Sequence, residues 1–524
     1  MMRWLVIVAL TFASGAANAQ FSEHRKAGRL LSQWQLDKAR TLIEKLKTSA
    51  PTRAETRYLQ AELAFLDGTY SVALAHLTGL DDKQVSGSVG RLRALISGTM
   101  AATRGFVSKT SAKGHFEIVY KPGKDEVLVE LAGDALDRAY EVFAVDLGVK
   151  PSKPIRVELL TKPADLALVS TLTEKDIRTT GTIALCKYNK LMAVTPRATL
   201  FGYAWLDTLA HEYVHYLVSM ATKDRVPVWL HEGLARFQQN RWRDPTLGKL
   251  SGTDEFLLAS AVKKADLISF DAMHPSMAKL PSQEAAALAY AEVYTLVRYV
   301  HGKVGYSGIR KALKLIGAGS DPRDAITQVM SAKRWPKVES GWKAHLRESK
   351  LRMEPALAGR ARHGRIRFDE GGKKSENVGI SELNSSKAQK FARLGGMLRA
   401  RGMLKAAALE YEKALAITGD KNPMVAGKLA RTYLALGNYQ RAIALAEPLM
   451  SADDNDSSPA TTLGIAYRKA GDDKKATKAF EVALRINPFD PSVRCGLAEA
   501  YGAQRLKNKE KREREACRRL SQAR

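Results

Sequence analysis

The carboxy-terminal part of the chain repeats itself about every 34 residues, and that period restricts the fold more than any other feature. Leu463-Gly464, Tyr467, Gly471, Ala476, Phe480, Ala483 and Pro488 have counterparts one period earlier in Leu429-Ala430, Tyr433, Gly437, Tyr439 and Ala442. Before those lie Leu394-Gly395, Leu398, Gly402, Ala407, Tyr411 and Ala414. Small residues at fixed places let two helices touch, large ones fill the space between them, and a glycine supplies the turn. A helix pair of this kind cannot bury its apolar face alone, so it stacks into an array. Residues 489–504 read as the first helix of a further unit, and the charged stretch 506–524 as a solvating cap or tail. A weaker echo comes early, with Gly68, Tyr70, Ala73 and Leu77 in one unit and Trp34, Leu36 and Ala39 in the unit before it.

Between these helical regions the chain changes character. Residues 211–215 read His211-Glu212-Tyr213-Val214-His215, and Trp229-Leu230-His231-Glu232-Gly233-Leu234-Ala235 follows. Apolar residues at helical intervals (Leu206, Leu209, Ala210, Val214, Leu217, Val218) place the first segment on a largely buried helix over Trp205 to Met220. Side chains four apart on a helix share one face, so both imidazoles point at one place. Burying two histidines and a glutamate without a partner is costly, and a metal removes that cost. Pro227 pre-sets the start of a second helix that brings Glu232 toward the first. Two histidines and a carboxylate leave one position of a tetrahedral zinc open, which is the catalytic arrangement.

HExxH followed by a WLxEGLA-like helix resembles the gluzincin clan of zinc peptidases, and in particular the compact peptidase MA-like domains of bacterial envelope proteins. The resemblance implies one Zn²⁺ per chain held by His211, His215 and Glu232, with Glu212 as general base acting on a zinc-activated water. The clan also uses a donor for the oxyanion; among Tyr290, Tyr294 and Tyr299 on the helix Ala285 to Val300 the resemblance favours Tyr290, with core packing as the alternative for each ring. His231 has no assigned counterpart; its neighbour Glu232 faces the metal, so it is expected to face elsewhere, at the surface or behind the ligands. Upstream, Gly114 to Tyr120 and Ile155 to Leu160 read as strands, Leu128 to Leu147 as a helix, and Gly181–Cys186 with Leu191–Val194 as a hairpin. In the clan the last strands before the zinc helix form an edge along which substrate backbone pairs. Thr180 to Leu185 lacks the glutamate-bearing strand pattern of the aminopeptidases, which leans the reading toward an endopeptidase. The repeats resemble tetratricopeptide repeats. The fold class expected is thus an α+β zincin-like (thermolysin-like) peptidase domain flanked by all-α repeats.

The remaining features set the context. Arg3, an apolar run from Trp4 to Ala13 and Ala17-Asn18-Ala19 form a secretory leader cleaved near Ala19, so an exported protein, periplasmic or secreted, is expected. No later stretch is long and apolar enough for a transmembrane segment. The organisation expected is a leader over 1–19, helical repeats over 20–105, the peptidase domain over 112–350, a linker over 351–384, the repeat array over 385–505 and the charged cap. Of three cysteines, Cys495 and Cys517 can meet if their helices run antiparallel, leaving Cys186 free. The formal charge of +28 is spread rather than gathered around aromatic readers, so no nucleic-acid partner is expected. Its densest runs, 359–367 and 507–519, suit a solvated face or contact with anionic envelope polymers. The leading function is an exported zinc metallopeptidase acting on polypeptide, with repeats that recruit substrate or a partner protein. The alternatives are a noncatalytic assembly factor carrying a relic peptidase domain, and a hydrolase of cell-wall amides.

Overall fold

The computed structural model describes residues 22–522 apart from 86–88, 245, 247–249, 275, 354–365, 367, 370–378, 384, 420–421 and 451–455. The leader, most of the linker and the basic run through Arg365 lie outside the described residues. The architecture is mostly helical, with a small mixed sheet at its centre.

Helices over 22–32 (α1), Leu36–Ser49 (α2), Ala54–Leu66 (α3), Tyr70–His76 (α4) and Val89–Ala102 (α5) form the amino-terminal layer. The sheet is built from β1 (Val107–Thr110), β2 (Phe116–Tyr120), β3 (Ile155–Leu160), β4 (Ala184–Lys187) and β5 (Lys190–Val194), in the order β1-β2-β3-β5-β4. The inner pairs β2–β3 and β3–β5 are parallel, and both outer strands run antiparallel to their neighbours. The hairpin expected between 181 and 194 is present with a tighter turn: Tyr188 and Asn189 hold φ of 56° and 59° and join β4 to β5 directly. Gly181 is not in a strand. It ends a short helix α8 (Glu174–Thr180) in the left-handed conformation, φ 69°, after a capping box between Thr173 and Asp176.

Alternation along the strands makes two faces. Val157, Leu159, Leu191 and Ala193 face a core shared with α6 (Glu126–Leu147) and the zinc-motif helix α9 (Trp205–Thr222). Leu160, Met192 and Val194 face the other way, against α7 (Pro163–Leu168) and α8. On that second face Glu158 of β3 is fully buried and accepts hydrogen bonds from Lys190 Nζ at 2.9 Å, Arg156 Nε at 2.9 Å and the Tyr70 hydroxyl of α4. Burial alone would push the Glu158 carboxyl up; Lys190 and Arg156 more than reverse that and hold it below the ordinary range.

After α9 come α10 (Val228–Gln238), α11 (Gly252–Lys264), α12 (Gln283–Ala318), α13 (Pro322–Val329) and α14 (Trp335–Glu348). Gly233, just after Glu232, is where α10 meets α12. A Cβ there would lie 2.8 Å from both the Val293 carbonyl oxygen and a Val297 methyl, so the two helices touch only because the residue is glycine.

The repeat array contains α15 (Ser386–Ala400), α16 (Leu404–Thr418), α17 (Pro423–Ala435), α18 (Tyr439–Ala446), α19 (Ser458–Lys469), α20 (Asp473–Ile486), α21 (Pro491–Ala503) and α22 (Lys507–Gln522). A Cβ at Gly395 would come within 3.0 Å of the Tyr411 ring, and one at Gly464 closer still to the Phe480 ring, which explains the glycine–aromatic period seen in the sequence. The expected charged tail is instead a packed helix. Glu513 and Leu520 of α22 are buried, Arg494 Nη1 bonds Glu513 Oε2 at 2.6 Å, and Cys495 and Cys517 form a disulfide across α21 and α22. A one-sided apolar stripe was hidden there among charges that mostly pair with each other.

The two halves of the array differ. Helices α15–α18 enclose their own core around Tyr411 and Leu429. The later pairs share the core of the central domain, since Leu463, Phe480 and Tyr501 cluster with the residues of α6 and α9. Backbone and side-chain bonds tie this joint: Tyr203 N donates to Ile486 O at 3.0 Å, Trp205 Nε1 to Leu484 O at 3.3 Å, and Arg494 Nη2 to Val127 O at 3.1 Å. The array therefore grips the amino-terminal end of the helix that carries the histidines.

Candidate metal centre

Helix α9 is apolar on most of its surface, and Leu209, Ala210, Val214, Leu217 and Val218 are buried. His211 and His215 leave it one turn apart, with ring centroids 4.7 Å apart. Pro227, extended at ψ 155°, starts α10 and turns the chain back, so that Glu232 meets both rings. Glu232 Oε2 lies 3.1 Å from His211 Nε2 and 3.3 Å from His215 Nε2. Ligand atoms of these three residues all fall within 4.8 Å of one another, the one such convergence of His, Cys, Asp or Glu among the described residues.

The tautomers test whether this set fits a metal. His211 Nδ1 lies 3.1 Å from the Gln239 side-chain oxygen, which can only accept. The proton of His211 therefore sits on Nδ1, and its Nε2 presents a bare lone pair toward a carboxylate oxygen that is also an acceptor. Two acceptors facing each other call for a cation between them. The three groups also shift one another. Burial drives the His211 ring below its ordinary pKa; burial has the same tendency at His215, but the Glu232 charge outweighs it and holds that ring above its usual value. Burial would raise Glu232, yet the two imidazoles keep its carboxyl well below the ordinary range. A carboxylate held ionised between two imidazole nitrogens is a donor set that could hold a divalent cation.

Glu212, on the same helix, is buried and has a different setting. Burial pushes its carboxyl up to about 7, the neighbouring Glu232 charge adds to this, and His215 and a backbone hydrogen bond from Cys186 of β4 oppose it. A carboxyl poised near neutrality suits a group that accepts and returns a proton. Both Glu212 and His211 open onto a groove of about 230 Å³. Its walls are Thr180 to Ala184 before edge strand β4, Arg236 and Gln239 from α10, Tyr290 from α12, and Ile366 from the linker. Tyr290 thus lines the same groove as Glu212, with the Arg236 guanidinium 5.7 Å from its ring centre. Tyr294 and Tyr299 are elsewhere: the first is buried against Phe237 and the second stacks on His345.

Behind the ligands stand Gln239, which the sequence reading does not single out, and His231, which takes one of the two places expected of it. Gln239 lies two turns after Glu232, on the same face of α10, and that spacing was the available signal. His231 is behind the ligands rather than at the surface: its Nδ1 is 2.5 Å from His215 Nδ1.

Residues 135–348 match the Peptidase MA superfamily, and residues 398–466 match the tetratricopeptide repeat. The chain therefore carries a peptidase MA superfamily domain together with tetratricopeptide repeats. No curated protein matches it. Among solved structures, the MamA protein aligns at 20% identity over 26% of this chain and 73% of its own, with a TM-score of 0.24. The Cut9–Hcn1 complex of the APC/C aligns at 13% identity over 95% of this chain and 78% of its own, TM-score 0.28. Yeast Tom70 aligns at 11% identity over 95% and 84%, TM-score 0.23. Scores this low carry no argument about architecture or function.

Proposed function

We propose that this protein is an exported zinc-dependent metallopeptidase with a zincin-like catalytic domain, cleaving peptide bonds as an endopeptidase. The observation that carries the reading is the convergence of His211 Nε2, His215 Nε2 and Glu232 Oε2 beside a buried Glu212 in a groove. His211, His215 and Glu232 would hold the ion, and zinc supplies Lewis acidity at such a site, polarising a carbonyl and making water nucleophilic near neutral pH. Glu212 takes the proton of the attacking water and hands it to the leaving amine. The Tyr290 hydroxyl, in the same groove, donates to the carbonyl oxygen as negative charge develops there. Residues Thr180 to Ala184 and edge strand β4 offer a wall along which an extended peptide can lie, and backbone pairing is the usual way such an edge captures a chain. Helix-pair arrays form concave protein-binding surfaces, so the repeats are the element that brings substrate or a partner to the groove.

Export is supported by the apolar leader in the sequence and by the Cys495–Cys517 disulfide, a bond that persists in oxidising compartments. The test is metal content and degradation of unfolded casein by the mature chain, compared with Glu212→Gln. Wild type is expected to hold one zinc and to cleave. Glu212→Gln is expected to keep the zinc and lose about 10²–10⁴-fold in turnover. Equal turnover in the two proteins would refute the role given to Glu212, and absence of zinc in wild type would refute the whole reading.

A further inference from the structure

Three residues that the sequence motif does not assign lie in a line behind one ligand. His231 Nδ1 is 2.5 Å from His215 Nδ1, His231 Nε2 is 3.3 Å from Ser219 Oγ, and the Ser219 hydroxyl donates to Asp224 Oδ1 at 2.9 Å. We propose that His231 is a positioning residue, which fixes the tautomer and ring plane of His215 and is itself held by Ser219 and Asp224. The proposal rests on the zinc reading given above.

Proton counting gives the line a single direction. A neutral His215 that offers Nε2 to a cation must carry its proton on Nδ1. At 2.5 Å the facing His231 Nδ1 must then be the acceptor, so the His231 proton sits on Nε2. That N–H points at Ser219 Oγ, which accepts it and spends its own hydrogen on the Asp224 carboxylate. Every donor has one acceptor, and the line ends on a charge that can only accept. Reversing it would put a proton on His215 Nε2, where it would block the ligand position.

Local geometry explains why these residues meet. Ser219 is one helical turn beyond His215 on α9, so it lies on the ligand face. Helix α9 ends at Lys223 and Asp224, both left-handed at φ 54° and 57°, and Asp224 N donates back to Ser219 O at 3.0 Å. The carboxylate is thereby anchored to the end of the helix whose ligand it serves. His231 precedes Glu232 on α10, about 100° around the helix from it. Glu232 meets the Nε2 edges of the two histidines while His231 meets the opposite edge of His215.

The two ligands are therefore backed differently, His211 by the terminal amide of Gln239 and His215 by a three-residue line. Loss of an outer partner of this kind typically weakens metal binding by about 10–100-fold. The experiment titrates the full mature chain with zinc against a chromophoric chelator. His231→Ala is expected to weaken zinc by about 10–100-fold, and His231→Asn, whose amide oxygen can accept from His215 Nδ1–H, to recover most of the loss. Thermal melts of the metal-free variants check that the fold survives. In parallel, ¹⁵N-histidine spectra of the zinc-loaded wild type are expected to show His231 as the Nε2–H tautomer. Zinc affinity of a folded His231→Ala within twofold of wild type, or a Nδ1–H tautomer at His231, overturns the proposal while leaving the metallopeptidase reading intact. A wild-type chain that takes up no zinc overturns both.

Discussion

Two buried polar clusters lie on opposite faces of the same sheet and solve the same problem differently. On one face Glu158 is surrounded by Lys190, Arg156 and Tyr70, so its charge is matched by cations and donors from the protein itself. On the other, Glu232 Oε2 lies 3.1 Å from His211 Nε2 and 3.3 Å from His215 Nε2, a donor set that could close around a metal ion. The first cluster is closed and holds α4 against the strands. The second opens onto a groove through His211. Burial alone therefore does not mark a functional site; the signature is a set of well-oriented groups whose only missing partner has the opposite charge.

The largest effect expected from breaking this contrast is in the closed cluster. Lys190→Met should cost about 3–5 kcal/mol of unfolding free energy, because it leaves the buried Glu158 charge with one partly exposed arginine and the Tyr70 hydroxyl. Chemical denaturation measures this, and the loss should be the same with and without zinc. The double variant Lys190→Met, Glu158→Leu should recover a large part of it. A Lys190→Met protein as stable as wild type would mean that the pair contributes nothing to the joint.

A third buried carboxylate belongs to neither kind and sharpens the distinction. Glu292 on α12 is fully buried, its Oε1 accepts from Ile268 N at 2.9 Å, and its Oε2 has no hydrogen-bond partner among the described residues. Burial pushes its carboxyl up to about 8, against the backbone bond from Ile268 and the Lys343 charge, while Asp266 adds to the rise. The folded state thus binds a proton that the unfolded chain releases near pH 4.5. Stability should fall as pH rises from about 4.5 to 8, with a slope approaching about 1.4 kcal/mol per pH unit. Glu292→Gln should remove that part of the slope in urea melts taken across the window, and an unchanged profile would show that the carboxyl stays ionised.

The smallest expected effect concerns the open cluster. Zinc at 100 times its dissociation constant should raise wild-type stability by about 2.7 kcal/mol, because only the folded chain presents the three donors together. His211→Ala should show no such rise at the same zinc concentration while melting close to wild type in chelator. Stabilisation of both proteins by zinc would place the ion elsewhere.

How much of this was legible in the sequence depends on how local each feature is. The histidine pair, the helix that carries it and the following glutamate are close in sequence, and their geometry follows from helical spacing. The glycine–aromatic period of the array is equally local. Strand β1 was missed because all four of its residues are exposed and show no alternation. Helix α8 was missed because a capping box, Thr173 with Asp176, was the only sign of a seven-residue element. Helix α22 was taken for a tail because charge dominates its composition, whereas one buried stripe and a disulfide decide its fate.

What the sequence determined by itself is the donor set, since residues one turn apart on a helix share a face whatever surrounds them. What only the tertiary structure decided is which group stands behind each donor. Gln239 and His231 reach the histidines because α10 folds back on α9, and the array closes on Trp205 although Leu484 is 279 positions away. Those approaches are set by burial of apolar surface between distant elements, a quantity that no short stretch of chain carries.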